Sequence, residues 1–232
     1  MTRIQAVSTH LSQLKSLFRP GFIDYLKRCG MPPSPAIIAM QKLKGARARK
    51  PIFVPLGDDR FDALLKLLRV AVSEGHNEWA WVLVVVFFAL IEVRHCHLVG
   101  CAWLRRPGHL TLPGAQGTRY IEVPDEVYDW LSRQTVFQPG ADLSGTTVQL
   151  HLHAAMRHLR RIESDKWQVH PLAELYNHGV ALQIQKVGYD KAFLLTGRKS
   201  ITNFRRFFKR EDAMGAPSLA RCRSLIAAMK RT

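Results

Sequence analysis

The sequence predicts a mainly α-helical protein with one small β-hairpin, and three observations support this fold class. Apolar residues recur every three or four positions over most of the chain, which is the period of an amphipathic helix. The continuous apolar run from Trp79 to Ile91 is typical of a helix that is buried on every side. Two short strand-like segments, Leu110–Leu112 and Arg119–Val123, flank a stretch rich in turn residues, Pro113–Gly117, which predicts a hairpin.

The main domain is expected to begin at Pro51, and its helices are marked by capping and breaking residues. Asp58 or Asp59 can cap a first helix that runs to Val72 and ends at Gly75. A glycine after an apolar-periodic stretch is a common end signal, so we expect a later helix to stop at Gly179. The expected helices are, by residue number, 58–72, 78–93, a turn or two over 97–103, 125–133, 146–161, 169–178, a short one near 190, 202–210 and 218–230.

The first 50 residues predict a short, basic helical segment that precedes the main domain. Apolar residues at helical spacing over 11–18 predict one helix, and a second is expected from Phe22 to Arg28, ending at Gly30. The prolines that follow break the helical pattern before a third expected helix over 36–44. The basic run 42–50 predicts a linker or a DNA-contacting arm. The chain is therefore divided into 1–50, 51–210 and a C-terminal helix over 211–232.

The charge of the chain predicts an anionic partner. There are 34 Lys and Arg residues against 18 Asp and Glu, a net charge of +16. Residues 1–50 carry 10 basic and 1 acidic side chains, residues 51–160 carry 10 and 11, and residues 161–232 carry 14 and 6. Charge kept only for solubility needs no such asymmetry. We therefore expect double-stranded DNA rather than an anionic membrane as the partner.

The cysteines and the apolar segments predict a cytoplasmic protein without a membrane segment. The four cysteines are scattered and show no disulfide framework, as in a reducing compartment. The N-terminus lacks the apolar core of a signal peptide. The longest apolar run falls short of the roughly 20 residues that span a bilayer.

Histidine clusters are weak candidates for a metal site. His95, Cys96 and His97 with Cys101 lack the spacing of a closed zinc site, because helical side chains one or two positions apart diverge. His151 and His158 share a helix face but are too far apart for one ion. The chain also contains no glycine-rich phosphate loop. We expect no metal and no cofactor.

Motifs in the middle and at the end of the chain resemble a known family. The stretch 89–103 places Arg94 after the apolar run, His97 three residues later, and then a turn with Trp103. With the hairpin that follows, the order of elements over 52–208 resembles the catalytic domain of tyrosine recombinases, the phage integrase family. In this resemblance Arg94 is the first phosphate-clamping arginine and His97 replaces its acidic supporter. The catalytic lysine is missing from the hairpin turn, where Gln116 or Arg119 is the nearest polar substitute.

The rest of the resemblance lies in two later segments. His170 opens a segment that matches the family's His-x-x-Arg box, but Ala173 stands where that box has its second arginine. The segment 194–201 matches the family's Leu-Gly-His motif, with Arg198 in place of the histidine. At the spacing expected for the nucleophilic tyrosine the chain has Phe207.

The resemblance implies DNA binding without DNA cleavage. The family forms a 3′-phosphotyrosine bond by attack of a tyrosine hydroxyl, and a phenyl ring has no oxygen for this attack. We therefore expect a DNA-binding accessory or regulatory protein of a mobile element, a catalytically inactive recombinase homologue. The expected phosphate contacts are Arg94, His170, Arg198, Lys199, Arg205, Arg206, Lys209 and Arg210.

Several alternatives stay open at this point. The chain could be an active recombinase that uses a displaced tyrosine, Tyr176 or Tyr189, or a residue of a partner. It could also be a basic scaffold for an acidic protein. Arg94 could form a structural ion pair with Glu92 or Glu174, His170 could be a packing residue, and the run 205–210 could be a solvated helix face. The apolar face of 218–230 could dock on a second copy or on an active recombinase, or pack on its own domain.

Overall fold

In a computed structural model the protein is described over residues 20–31, 34–35, 52–98, 100, 103–104, 106–114, 117–139, 141, 145–162, 167 and 170–231. The chain divides into two units, Met1–Lys50 and Pro51–Thr232. In the first unit, helix α1 spans Pro20–Arg28 and is followed by Gly30 in a left-handed conformation (φ 71°), which suits a residue without a side chain. The helices expected over 11–18 and 36–44 lie outside the described residues.

The second unit is mainly helical with a two-stranded antiparallel sheet, which confirms the coarse fold class. Its helices are α2 (Asp58–Ser73), α3 (Asn77–Phe88), α4 (Asp125–Ser132), α5 (Gly145–Arg160), α6 (Pro171–Val187), α7 (Tyr189–Leu195), α8 (Ile201–Phe207), α9 (Arg210–Met214) and α10 (Arg223–Arg231). Short 3₁₀ segments cover Val93–Leu98, Thr135–Phe137 and Leu219–Cys222. No helix among the described residues is long and apolar enough to cross a bilayer.

Helix α3 is the centre of the core. Its residues from Trp79 to Phe88 are all buried, and α2, α5 and α6 pack around it. The apolar run therefore forms a buried helix as expected, but the helix ends at Phe88 and not at 93. Leu90 follows in a left-handed conformation (φ 52°), which is uncommon for a residue with a side chain. Arg94 consequently lies in the 3₁₀ segment and not on the buried helix.

Helix α6 is the second buried helix, and the prediction that it stops at Gly179 is wrong. The helix continues through this glycine to Val187. A β-carbon at Gly179 would lie 2.1 Å from the carbonyl oxygen of Phe87. The glycine is therefore needed because α3 and α6 approach each other closely, and Gly188 (φ 85°) follows the true end of the helix.

The hairpin forms where the turn residues predict it. Strand β1 (His109–Gly114) pairs with β2 (Gly117–Glu122), with Leu110 opposite Ile121 and Leu112 opposite Arg119. Leu110, Leu112 and Ile121 are buried, so the alternation of strand side chains turns Arg119 toward the same interior face.

The C-terminal helix packs on its own domain. The side chains of Cys222, Leu225 and Met229 are fully buried, and α10 contacts α2 and α4. Arg221 adds ion pairs to Asp58 and to Asp62, the latter at 2.8 Å. Of the two alternatives for this apolar face, the structure therefore has the intramolecular one.

Candidate functional site

The candidate nucleophile position lies in a tightly packed aromatic corner. Phe207 is half-buried at the end of α8, and its ring meets that of Phe208 at a centroid distance of 4.7 Å. The backbone of the corner is also fixed, because the Phe207 carbonyl accepts from the Phe53 N–H at 3.0 Å. The Tyr189 hydroxyl donates to the Phe208 carbonyl at 2.5 Å. The corner is thus rigid, and residue 207 itself carries no ionisable group.

Arg198 lies beside this corner, in the middle of the loop between α7 and α8. Its guanidinium carbon is 5.4 Å from the ring centroid of Tyr176 and 5.9 Å from that of Phe208, within the range of cation–π contacts. Its Nε atom lies 3.8 Å from Oε1 of Glu92. The Arg198 side chain keeps 30% of its surface exposed. A cation therefore faces solvent here while its inner side is covered by aromatic rings.

Arg198 and its neighbours Glu92, Tyr176 and Phe208 form the Arg198 cluster, in which Tyr176 is a buried phenol. It is 3% exposed, and its hydroxyl makes no hydrogen bond of ordinary geometry with the described residues. Burial raises its pKa, and the nearby Arg198 opposes that rise. Loss of solvent makes the phenolate costly, so this hydroxyl is a poor nucleophile in the folded chain.

Tyr189 is the second phenol considered as a displaced nucleophile. Its hydroxyl proton is committed to the Phe208 carbonyl. Partial burial raises its pKa, and Arg205 acts in the opposite direction. The described geometry therefore gives Tyr189 a structural contact at the aromatic corner.

Arg119 joins the end of α7 to the turn that follows α3. Its Nη1 donates to the carbonyl of Leu195, the last residue of α7, and its Nη2 donates to the carbonyl of Leu90 at 3.3 Å. Carbonyl groups at helix C-termini carry partial negative charge, which suits a guanidinium. Burial lowers the pKa of Arg119, whereas Tyr176 and Glu92 oppose this. With two hydrogen bonds to carbonyls, Arg119 acts here as a structural clasp and not as the proton donor that the missing lysine would be.

His170 and Ala173 lie at the start of α6. His170 is the N-cap residue, and its carbonyl accepts from the Ala173 N–H at 2.8 Å. The His170 side chain is exposed, and its pKa is lowered by desolvation and by Arg160. Six residues separate His170 from Tyr176, which is about 9 Å along a helix axis. His170 therefore lies at the N-terminal end of α6, away from Tyr176, and Arg160 is the charged residue that acts on its imidazole.

The basic residues around the aromatic corner are exposed. Arg205 pairs with Asp190 at 3.4 Å, and both side chains are largely in solvent. Such a pair contributes little to stability. Four further exposed cations make no ion pair with an acidic side chain in the part of the chain that the structure describes: Lys199, Arg206, Lys209 and Arg210.

The remaining expected positions are described only in part. The backbone of Arg94 and His97 lies in the 3₁₀ segment Val93–Leu98, but their side chains are outside the described residues. Gln116 also lies outside them. Arg198 thus lies at the aromatic corner that Phe207 completes, whereas His170 lies at the N-terminal end of α6.

The histidines of α5 face tryptophans of α3. The indole Nε1 of Trp81 donates to Nδ1 of His151 at 3.0 Å, and the ring of His158 stacks on that of Trp79 at 4.0 Å. Burial lowers the pKa of both imidazoles. Among the described residues, no three His, Cys, Asp or Glu side chains gather as a metal-binding group.

Sequence reasoning missed how Glu92 and Tyr176 join Arg198. The sequence suggests Tyr176 only as a displaced nucleophile and Glu92 only as a partner of Arg94, and nothing in it marks either as a neighbour of Arg198. The inward direction of Arg119 did have a signal, because it alternates with Ile121 along a strand.

Comparisons with protein-family models, with curated protein sequences and with solved structures found no match. The function of the chain is therefore argued from its charge, its exposed side chains and the chemistry of the Arg198 cluster.

Proposed function

We propose that this protein is a DNA-binding accessory or regulatory protein with a tyrosine-recombinase-like domain that does not cut DNA. In this proposal residues 51–210 have the catalytic-domain architecture of that family, and the protein is encoded by a mobile element and acts in the cytoplasm. It would occupy a recombination or operator site, or compete with an active recombinase there.

The observation that carries the proposal is the exposed basic surface around a position that lacks a nucleophile. Arg206, Lys209 and Arg210 are exposed and lie within three residues of Phe207, Lys199 is exposed in the loop before α8, and the chain as a whole carries a charge of +16. Contacts between such side chains and phosphates supply most of the sequence-independent affinity for DNA. Phe207 offers no atom that could form a covalent bond to phosphorus.

The burial of Tyr176 and the hydrogen bond made by Tyr189 support an inactive protein over a displaced nucleophile. The Tyr176 hydroxyl is buried behind Arg198, and the Tyr189 hydroxyl is bonded to a backbone carbonyl. An attacking tyrosine must reach a phosphorus atom and lose its proton, and burial opposes both steps. An active recombinase remains the second candidate, since a partner chain could supply the tyrosine.

A gel-shift assay in graded salt tests the proposal. We expect the wild-type protein to shift a mixed-sequence duplex at about 50 mM salt and to lose most of its affinity by about 200 mM. The double variant Arg206→Gln/Lys209→Gln should bind more weakly. The plot of log affinity against log salt should become shallower by about 2, one unit of slope for each lost phosphate contact.

The control carries the same loss of charge on another element. Lys66 and Arg69 are exposed on α2, where acidic and basic residues balance. Lys66→Gln/Arg69→Gln should leave the salt slope near that of the wild type. No shift of any duplex at low salt would refute the proposal, and equal losses from both double variants would refute the location of the DNA surface.

A further inference from the structure

The pair formed by Glu92 and Arg198 is built so that it can be exchanged. The Arg198 Nε to Glu92 Oε1 distance of 3.8 Å is longer than a charge-assisted hydrogen bond of about 2.7–2.9 Å. The two side chains are 30% and 23% exposed, so a ligand arriving from solvent can reach both. The contact is therefore a long, partly exposed ion pair and not a short, fully buried salt bridge.

The rest of the cluster leaves the guanidinium of Arg198 able to take another anion. Its inner contacts include the ring faces of Tyr176 and Phe208, and a contact to a ring face leaves a guanidinium free to bond in its own plane. A guanidinium binds a phosphate through two parallel hydrogen bonds, a geometry that the present distance to Glu92 does not provide. Arg119, in contrast, already donates to two carbonyls.

We infer that Glu92 is an internal competitor of the DNA phosphate for Arg198, so that DNA must displace a carboxylate from the site before it is fully bound. This inference rests on the proposed function. Glu92 then weakens binding to every DNA sequence alike, and it holds Arg198 over the aromatic rings when DNA is absent. Such a contact limits nonspecific retention on DNA, which a protein of this charge otherwise favours.

The test is the affinity of Glu92→Gln for a mixed-sequence duplex across a salt series. We expect roughly 2- to 5-fold tighter binding than the wild type, in line with the loss of a partly exposed ion pair. The salt slope should become steeper by up to about 1, because Arg198 then releases a counterion when it binds phosphate. The matched control is Glu126→Gln, the same chemical change in the first turn of α4, which should change neither quantity beyond the effect of one distant charge.

A double-mutant cycle with Arg198→Ala decides the mechanism. The gain from Glu92→Gln should vanish in the Arg198→Ala background, since the carboxylate acts through that residue. A gain that persists without Arg198, or a Glu92→Gln variant that binds no tighter than the wild type, would overturn the inference while leaving the proposed function intact. Absence of binding by both proteins would instead remove the proposed function, and this inference with it.

A second substitution guards against a folding defect. If Glu92→Gln does not give a folded protein, Glu92→Asp withdraws the carboxylate by one methylene and should give a smaller gain in affinity of the same sign. Binding by a folded Glu92→Asp variant that equals the wild type would also overturn the inference.

Discussion

Replacing Gly179 by alanine should destabilise the protein sharply, because α3 and α6 touch at this position. The new β-carbon would lie 2.1 Å from the Phe87 carbonyl oxygen, 3.0 Å from its carbonyl carbon and 3.1 Å from a methyl carbon of Leu90. The first two atoms are backbone atoms of a buried helix, which cannot rotate away as a side chain can. The two helices must therefore separate, and the packing around both must loosen.

Two effects of opposite sign determine how much Gly179→Ala changes the free energy of unfolding. Overpacking of a close-packed interior costs about 1–3 kcal/mol and more where backbone must move. Alanine at a helical position recovers up to about 1 kcal/mol relative to glycine. Because the clash here is with backbone, we expect a net loss of about 2 kcal/mol or more in the free energy of unfolding. For a chain of this size that is a fall in Tm of roughly 4–8 °C.

Urea denaturation followed by tryptophan fluorescence measures this loss. All five tryptophans lie after residue 50, so the signal reports on the unit Pro51–Thr232. The matched control is Gly215→Ala, where φ is −77° and the new β-carbon would meet its neighbours at an ordinary 3.6 Å. Gly215→Ala should be neutral or stabilising by up to about 1 kcal/mol. A Gly179→Ala protein as stable as the wild type would refute the close contact of α3 and α6.

Three further predictions concern buried and bridging side chains. His178 accepts from the Leu56 N–H at 2.9 Å and donates to the Glu174 carbonyl at 2.8 Å, and burial lowers its pKa from 6.5 to about 4. As the pH falls, the imidazole of the unfolded chain is protonated before that of the folded chain. The free energy of unfolding should therefore be full above pH 6.5 and fall by up to about 3 kcal/mol toward pH 4. Urea midpoints measured across this range should change less with pH for His178→Gln than for the wild type. Arg119→Met should lower the free energy of unfolding by about 2 kcal/mol by leaving the Leu195 and Leu90 carbonyls without their donor, while Arg119→Lys recovers only part of this; equal stability of all three proteins would contradict the clasp. Arg221→Ala should speed hydrogen exchange in Arg223–Arg231 at low salt, and the difference from the wild type should shrink in high salt; unchanged exchange would show that apolar contacts alone hold α10.

The sequence predicts the helices and the hairpin well where one local signal decides them. The apolar run forms the buried helix α3, and the turn residues before Gly117 form the hairpin. The prediction fails at Gly179 because glycine serves two opposite purposes, ending a helix or permitting close contact between helices. Local sequence does not separate these purposes, since the second depends on Phe87 of another helix.

The end of α3 fails for a related reason. Ala89, Leu90 and Ile91 continue the apolar run without a glycine or proline, and no local signal marks the break. Leu90 adopts a left-handed conformation in a setting where its carbonyl accepts from Arg119, a residue of the hairpin. The break thus coincides with a tertiary contact, and Arg94 follows it in a 3₁₀ segment.

The candidate site is predictable only in part. The exposure of Lys199, Arg206, Lys209 and Arg210 is expected from their charge, whereas the role of position 207 rests on spacing and stays a prediction. The cluster of Glu92, Tyr176 and Arg198 does not, because its members come from three elements that are distant in sequence. Which acidic group opposes which basic group depends on packing, and packing is what a single sequence leaves open.

The central claim is that the protein holds DNA phosphates without forming a covalent bond to them. The most direct measurement is to incubate it with a labelled, nicked duplex that traps phosphotyrosine intermediates, and to divide each sample between a native and a denaturing gel. We predict a salt-dependent shift on the native gel and only free DNA on the denaturing gel. A labelled band that survives denaturation, or the lack of any shift at low salt, would contradict the account.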